Sequence, residues 1–108
     1  MLPITVIVPV RNAEAMVEDC LAGIVRANPG EIIVVDGNST DRTLEIVRRF
    51  PVTLLSDEGR GVPVARMLGI RAARYPVVAL IDVDIVLPEG ALEALYGEFS
   101  DGNYDGLQ

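Results

Sequence analysis

The feature that most constrains the fold is a fourfold alternation of short apolar runs with segments of helical periodicity. The runs cover residues 4–9, 31–36, 52–56 and 77–82. They are rich in β-branched residues and continuous, which is typical of strands buried on both faces of a parallel sheet. The sequence therefore predicts an α/β fold: an open, Rossmann-like parallel sheet of about four strands with flanking helices.

Helical periodicity fills the spaces between these runs, because apolar residues recur there at intervals of three and four. The inward positions are, helix by helix, Val17, Cys20, Leu21 and Ile24; Leu44, Val47 and Phe50; Ala65, Leu68, Gly69 and Ala72; and Leu92, Leu95 and Tyr96 within residues 89–99. Pro63 suits the first turn of the third helix. Residues 104–108 have the pattern of the beginning of another strand.

Each predicted strand ends in a polar or glycine-rich stretch, at residues 9–12, 36–41, 56–61 and 82–84. In open parallel α/β sheets, ligands bind beyond the carboxyl ends of the strands. We therefore expect the functional residues at these four exits.

Composition removes several kinds of chemistry from consideration. The chain has no His, and all nine basic residues are Arg, so it contains neither a Ser–His pair nor a Walker A phosphate loop. One cysteine, Cys20, permits no internal disulfide, and its inward helical position predicts a core residue. A net charge of −7 and only five aromatic residues (two Phe and three Tyr) argue against nucleic acid as a partner.

The negative charge is confined to one end of the chain. Residues 1–81 carry nine acidic and nine Arg side chains, whereas residues 82–108 carry seven acidic ones and no basic one. No apolar run approaches the roughly 20 residues of a membrane helix, and the first residues lack the charged leader of a signal peptide. We expect a cytoplasmic location, and leave open whether the full-length protein associates with a membrane.

Two carboxylates stand directly after the fourth apolar run, in Asp82-Val83-Asp84. Hard oxygen ligands at this spacing can share Mg²⁺ or Mn²⁺, which keep other coordination positions for water and substrate phosphate. The alternative is a solvated turn with two incidental acids. The position at a strand exit favours the metal site.

The other exits offer polar groups for a nucleotide. Asp36 can accept hydrogen bonds from a nucleoside, and it can also take part in turn chemistry with Gly37. Arg11 follows the first run, and Arg60 and Arg66 flank the third exit, where charge-assisted bonds to a diphosphate are expected. Among them we favour Arg60, because the glycines beside it allow close approach.

Four linked stretches carry a family resemblance. They are VIVPVRNAEAMVEDCLAGI, EIIVVDGNSTDRTLEIV, EGRGVPVARMLGIRAA and VVALIDVDIVLPEGALEAL. In order and spacing the chain resembles the N-terminal, nucleotide-sugar-binding half of the inverting family 2 glycosyltransferases, whose catalytic domain has the GT-A type fold. The resemblance implies transfer of a sugar from a nucleotide-sugar donor with inversion at the anomeric carbon, dependent on Mg²⁺ or Mn²⁺.

The resemblance also implies roles for individual residues. Pro9, Arg11 and Asp36 should border the nucleoside. Asp82 should lie near the ribose and the metal, and Asp84 should hold the metal on the diphosphate. The metal would then stabilise the departing diphosphate as a Lewis acid.

The chain differs from the family pattern at three points. Many members carry a second Asp where this chain has Gly37, and Asn is frequent where this chain has Met67. The family's catalytic base lies downstream, in an acceptor-binding half. Residues 1–108 are therefore expected to form the donor part alone, without a catalytic residue and with the acceptor part absent.

Parts of the sequence also fit other functions. LIDVDIV also fits the nucleophile motif of haloacid-dehalogenase-type phosphatases, although that family places the motif on its first strand and needs a later basic residue, and none follows Arg74. A response-regulator receiver lacks its essential Lys here. A non-catalytic nucleotide- or metal-binding module is the remaining alternative.

A second expectation follows from the resemblance. The fourth strand is interior to the sheet in the family, so residues 77–82 alone would present an apolar, unpaired edge, and such edges invite pairing with another chain. We expect a homo-oligomer through residues 77–82 or 104–108.

Overall fold

The computed structural model describes residues 1–101, in which strands and helices alternate as the sequence predicts. The strands are β1 (Leu2–Val10), β2 (Pro29–Asp36), β3 (Thr53–Ser56) and β4 (Val77–Leu80). The helices are α1 (Val17–Ala27), α2 (Thr43–Val47), α3 (Val62–Ala72) and α4 (Ala91–Asp101). None of these helices is both long and apolar enough to span a membrane.

The four strands form one parallel sheet in the order β3-β2-β1-β4. Val10 pairs with Asp36, and Asp36 pairs in turn with Ser56, so three strands end at almost the same level. On the other side of β1, Ile7 pairs with Leu80. The open parallel sheet with flanking helices is confirmed.

Several element ends differ from the sequence prediction, and two of these differences have a clear local cause. β4 stops at Leu80 rather than at Asp82, because a turn from Asp82 to Ile85 follows it, closed by the Ile85 N–H on the Asp82 carbonyl at 3.0 Å. α2 ends at Val47, before the predicted inward residue Phe50. Phe50 precedes a proline, and that position disfavours helical backbone.

The core lies on both faces of the sheet because successive strand side chains point to opposite sides. On one face, Val6 and Val8 of β1 pack with Cys20 and Leu21 of α1, all of them fully buried. On the other face, Ile7 belongs to a smaller cluster beneath α3. Cys20 is the core residue that its spacing predicts.

Gly69 lets α3 lie close to β1. A Cβ at this position would stand 2.5 Å from the Cγ2 atom of Ile7, which is closer than side-chain carbons approach. Ala65, one helical turn earlier, is also buried at the same contact. Small residues on this side of α3 therefore set its distance from the sheet, and with it the position of the helix's first turn.

An ion pair fastens the amino ends of the strands. Glu31 of β2 accepts hydrogen bonds from the Thr5 hydroxyl at 2.8 Å and from the backbone and guanidinium of Arg74 at 2.8 and 3.0 Å. Burial alone would raise the pKa of Glu31, but these hydrogen bonds and the charge of Arg74 outweigh it and lower the pKa below its usual value. This end of the sheet is held by charge, far from the strand exits.

β4 stands at an edge of the sheet within residues 1–101. Its side chains alternate between buried and half-buried. Assembly through this edge stays a prediction. The strand predicted over residues 104–108 lies outside the described residues.

Candidate functional site

A cleft of about 440 Å³ lies at the carboxyl ends of the strands, on the side covered by α3. Its lining residues come from all four strand exits and the start of α3: Pro9, Val10, Arg11, Val35, Gly37, Asp57, Gly59, Gly61, Val62, Asp82, Val83 and Asp84. The location agrees with the expectation that a ligand site forms where parallel strands end.

Backbone hydrogen bonds fix the relative positions of these exits. The Gly37 N–H donates to the Val10 carbonyl at 2.8 Å, and the Asp57 N–H donates to the Asp36 carbonyl at 3.0 Å. Beyond β4, the Ile81 N–H donates to the Ile7 carbonyl at 3.0 Å. The ladder thus continues past the formal strand ends and holds the cleft floor in register.

One end of the cleft is acidic. Asp82 and Asp84 both line it, and both are exposed, in the turn that follows β4. The Arg66 guanidinium on α3 stands 3.7 Å from Oδ1 of Asp82. The structure therefore brings together the two carboxylates and one of the arginines that the sequence singles out.

The chemistry of this end fits a hydrated divalent cation. No group of three or more His, Cys, Asp or Glu side chains that could hold a metal occurs in the part of the chain that the structure describes. Two carboxylates remain, and Mg²⁺ is commonly held by one or two carboxylates while waters and substrate phosphates complete its shell. Asp82 and Asp84 match that donor set.

Cys20 supports the acidic turn from below. Its thiol donates to the Asp82 carbonyl, with sulfur and oxygen 3.9 Å apart. Burial, together with the negative charge of Asp84, raises the pKa of Cys20 to about 11. Cys20 is therefore a neutral thiol near pH 7, suited to packing and weak donation rather than to nucleophilic chemistry.

The opposite end of the cleft has few charges. Pro9 is half-buried at its floor and Arg11 is exposed at its rim, as the sequence predicts for residues bordering a ligand. Gly37 and Gly59 contribute backbone only. Asp57 is 4% exposed, and its Oδ1 accepts the Gly59 N–H at 2.7 Å. Asp57 is a cleft residue that the sequence reasoning did not name.

Asp36 lies elsewhere than expected. Strand alternation turns it to the sheet face opposite Val35, so it does not line the cleft but a depression with Ser39 and Arg48. It is 5% exposed; Oδ2 accepts the Ser39 N–H at 3.1 Å, and Oδ1 has no partner within residues 1–101. Nor does it neighbour the Asp82 exit, since β1 stands between the two strands. This geometry favours the turn-forming role that the sequence also allowed.

Arg60 also lies outside the lining of the cleft. Its side chain is exposed, and its nearest carboxylate is Glu58, 3.8 Å away. The flanking glycines, Gly59 and Gly61, have positive φ and turn the loop so that their own backbone meets the cleft. Arg66, in the second turn of α3, is the arginine that faces Asp82.

A set of hydrogen bonds, here called the β1–β2 latch, joins the loops after the first two strands. The Asn12 N–H donates to Ser39 Oγ at 2.9 Å, and the Thr40 N–H donates to Asn12 Oδ1 at 2.7 Å. Asn12 adopts a left-handed backbone with φ of 46°, which Asn tolerates better than most residues. The two loops are thereby tied together beyond the ends of β1 and β2.

The rest of the β1–β2 latch is centred on α2. Thr43 is fully buried, and its Oγ1 accepts the Ala13 N–H at 2.8 Å while donating to Asp41. Asp41 also accepts the Glu14 N–H at 3.2 Å. The hydrogen bond from the Thr43 hydroxyl is the main cause that lowers the pKa of Asp41 below its usual value. The partners in these hydrogen bonds are 27 to 30 residues apart along the chain, so local sequence patterns do not reveal them.

The fold is that of the GT-A type glycosyltransferases. Glucosyl-3-phosphoglycerate synthase from Mycobacterium tuberculosis, in a crystal structure with Mn²⁺, UDP and glucosyl-3-phosphoglycerate, superposes with a TM-score of 0.82 at 26% identity, over 93% of this chain and 40% of that one. TarS from S. aureus gives a TM-score of 0.81 at 24% identity, over 94% of this chain and 33% of that one.

The chain belongs to glycosyl transferase family 2, whose model matches residues 5–108. An uncharacterized glycosyltransferase of Mycobacterium tuberculosis is 33% identical over 99 residues, which are 92% of this chain and 44% of that protein. Glycosyltransferase GlyG of Streptococcus pneumoniae is 30% identical over 110 residues, covering 94% of this chain and 36% of that protein. The chain thus spans less than half the length of these relatives.

Membership of this family decides between the enzyme classes that the sequence left open. The family match extends across all four strand exits, including the Asp82–Asp84 turn that the haloacid-dehalogenase motif would also fit. The assignment to glycosyl transferase family 2 is confirmed, rather than to the haloacid-dehalogenase or receiver families.

Proposed function

We propose that residues 1–108 form the donor-binding part of a glycosyltransferase catalytic domain, and that the complete protein transfers a sugar from a nucleoside diphosphate sugar to an acceptor. The observation that carries this proposal is the polarity of the cleft: Asp82 and Asp84 stand at one end, and a glycine-lined pocket stands at the other. The nucleotide part of a donor divides in the same way, into a diphosphate, which a cation held by the two carboxylates would bind, and a flat base, which suits the glycine-lined pocket.

The nucleoside occupies the end near β1 and β2. Pro9 and Val35 give an apolar floor, and Gly37 leaves room above the backbone. The Arg11 side chain, at the rim, contacts the ribose or phosphate from the solvent side. Asp36 contributes indirectly, because it holds the turn that carries Ser39 in the β1–β2 latch.

The diphosphate lies at the acidic end. Asp84 and Asp82 hold Mg²⁺ or Mn²⁺, as their donor set permits. The cation supplies Lewis-acid stabilisation of the leaving diphosphate when it is bound. Arg66 adds a charge-assisted donor to a phosphate oxygen from α3, because it already lies 3.7 Å from Asp82. Arg60 does not lie near Asp82 or line the cleft, so we assign it no direct contact with the diphosphate.

Inversion at the anomeric carbon is part of the same proposal, and it rests on the family resemblance. An inverting transfer needs a general base on the acceptor side of the sugar. The relatives extend well beyond the matched stretch. We therefore assign the catalytic base and the acceptor contacts to segments other than residues 1–108.

Calorimetric titration of the chain with UDP and GDP, with and without Mn²⁺, tests the proposal. Binding that strengthens at least about tenfold with Mn²⁺ is expected, because phosphate oxygens and the two carboxylates share one cation. Absence of heat with every nucleotide, or equal affinity without metal, contradicts it. Slow hydrolysis of a nucleotide sugar separates a competent donor site from a non-catalytic binding module, and release of inorganic phosphate from simple phosphoesters points to a phosphatase instead.

A further inference from the structure

We propose that Asp57 selects the nucleobase of the donor by accepting a hydrogen bond from a ring N–H of the base. The proposal rests on the proposed function and adds the class of base to it. Uracil and guanine carry a ring N–H on the edge that pairs in nucleic acids. Cytosine and adenine carry a lone pair at the corresponding ring nitrogen.

The order of the strands places the base near Asp57. Neighbouring strands are about 4.8 Å apart, so the exits of β4 and β3 are separated by three spacings, or about 14 Å. With the diphosphate at Asp82 and Asp84, the rest of the nucleotide extends across β1. The base then reaches the exits of β2 and β3, where Gly37 and Asp57 lie.

Among the lining residues contributed by the β2 and β3 exits, Asp57 is the one with a polar side chain, and Arg11 of the β1 exit stands at the solvent-exposed rim. The other lining residues of the β2 and β3 exits are Val35, Gly37, Gly59 and Gly61. Valine offers an apolar surface for the face of a base, and the glycines offer space and backbone groups. Recognition of the base edge by a side chain therefore falls to Asp57.

The Asp57 carboxylate is held in place before any ligand arrives. It is 4% exposed, its N–H is bonded to the Asp36 carbonyl, and its Oδ1 accepts the Gly59 N–H. A carboxylate offers about four acceptor positions, so this one bond leaves Asp57 able to accept others. A fixed, largely desolvated acceptor discriminates well, because a wrong partner leaves it unpaired.

Gly37 leaves the space in front of this carboxylate open. A Cβ built on Gly37 would stand 3.6 Å from Oδ1 of Asp57 and 3.5 Å from its next neighbours, the Arg11 Cβ atom and the Val10 carbonyl oxygen. The missing side chain therefore marks a position in contact with Asp57. Family members with a second Asp at position 37 would fill this position with a carboxylate of their own, whereas here Asp57 supplies it from β3.

Affinities for a panel of nucleoside diphosphates test the proposal, measured with saturating Mn²⁺ on the wild-type chain and on Asp57→Asn. The wild type should bind UDP or GDP at least about tenfold more tightly than CDP and ADP, because the carboxylate meets a ring N–H in the first pair and a lone pair in the second. If GDP is bound, IDP, which keeps the ring N–H of GDP but lacks its amino group, measures the contribution of that N–H. Binding as tight as GDP shows that the ring N–H suffices, and weaker binding shows that the guanine amino group adds a second bond.

Asp57→Asn should collapse this preference. The amide oxygen can still accept the Gly59 N–H, and the amide N–H₂ can donate to the ring nitrogen of cytosine or adenine. The ratio of UDP or GDP affinity to CDP affinity should fall about tenfold or more. Glu58→Gln, at the exposed neighbouring position, is the matched control and should keep the wild-type ratio.

Gly37→Ala gives an independent variant with the carboxylate intact. The Cβ fits in ordinary contact with its surroundings, so the fold should persist, while the base is pushed away from Asp57. Affinity for the favoured nucleotide should fall severalfold, with less effect on CDP. An unchanged affinity in Gly37→Ala, or a wild-type preference in Asp57→Asn, overturns the role of Asp57 and leaves the proposed function standing. A wild-type chain that binds no nucleotide at all overturns the proposed function itself.

Discussion

The two ends of the cleft are built in different ways. At the exits of β1 and β2, the β1–β2 latch ties one loop to the other through several hydrogen bonds, a buried one at Thr43 and exposed ones at Asn12. At the exit of β4, Asp82 and Asp84 are exposed, and the turn is held by one backbone hydrogen bond, the weak thiol bond from Cys20 and a 3.7 Å pair with Arg66.

This difference teaches how a donor site can divide its tasks. Groups that recognise a base have to be held in position before it binds. A fixed donor or acceptor favours the right base because a wrong base leaves it without a hydrogen-bond partner. Carboxylates that hold a cation gain by staying hydrated until the cation and phosphate arrive, since two like charges brought close together without a counterion repel. On the proposed function, the end assigned to the nucleoside is preorganised, and the acidic end would be completed by its ligands.

The largest expected effect comes from opening the β1–β2 latch. Thr43→Val keeps the shape of the side chain but removes the acceptor of the buried Ala13 N–H. Leaving that donor unpaired should lower the free energy of unfolding by about 2 kcal/mol. Urea denaturation, with the midpoint and slope compared between variant and wild type, measures it.

Thr53→Val on β3 is the matched control for this change, because Thr53 is exposed. Its unfolding free energy should stay within about 0.5 kcal/mol of the wild type. Nucleotide affinity should fall in the Thr43 variant even though Thr43 does not line the cleft. A Thr43→Val chain as stable as Thr53→Val would show that the latch does not stabilise the fold, and an unchanged nucleotide affinity would show that it does not support the proposed nucleoside end.

The next effect concerns the acidic end alone. Asp84→Asn removes one of two cation ligands from an exposed turn, so the strengthening of nucleotide binding by Mn²⁺ should fall about tenfold while the unfolding free energy changes by less than about 0.5 kcal/mol. Calorimetry with and without Mn²⁺ provides both affinities. Glu98→Gln removes the same charge from an exposed position on α4 and should keep the full metal effect. A comparable loss in both variants would point to bulk charge rather than to a metal ligand.

The smallest effect is a pH dependence that belongs to the β1–β2 latch. Because the pKa of Asp41 is lowered in the folded chain, its contribution to stability is complete above the unfolded value near 3.8 and is lost as pH falls through the folded pKa. Glu31 contributes in the same direction at the far end of the sheet. Asp41→Asn should therefore flatten part of the acid limb in urea midpoints measured from pH 2.5 to 6. An acid limb identical to that of the wild type would contradict the role of Asp41.

Much of the fold could be predicted from the sequence, because continuous β-branched runs and helical spacing are local signals. The site was predictable only as a set of strand exits. Asp82 and Asp84 stand where they were expected, since their position depends on one strand end. Asp36 and Asp57 show what local patterns miss. Alternation turns Asp36 away from the cleft, and the packing of α3 over β1 and β2 makes Asp57, the first residue past β3, a cleft residue.

The hydrogen bonds of the β1–β2 latch could not be predicted from the sequence, for a related reason. The sequence singled out neither Asn12 nor Thr43, because the hydrogen bonds that define their role join positions about 30 residues apart. Their pairing depends on the register of β1 against β2, in which Val10 lies opposite Asp36. Hydrophobic periodicity sets which face of a strand is buried but does not specify which loop residues meet beyond its end.

The central claim is that the acidic end becomes a metal site only together with the nucleotide. Titration of Mn²⁺ into the wild-type chain, with free Mn²⁺ followed by its electron paramagnetic resonance signal, tests this directly when repeated with saturating UDP or GDP. We predict weak binding of Mn²⁺ alone and a gain of at least about tenfold with the nucleotide that binds, matched by an equal gain in nucleotide affinity with Mn²⁺. Mn²⁺ affinity that is the same with and without nucleotide would contradict the account.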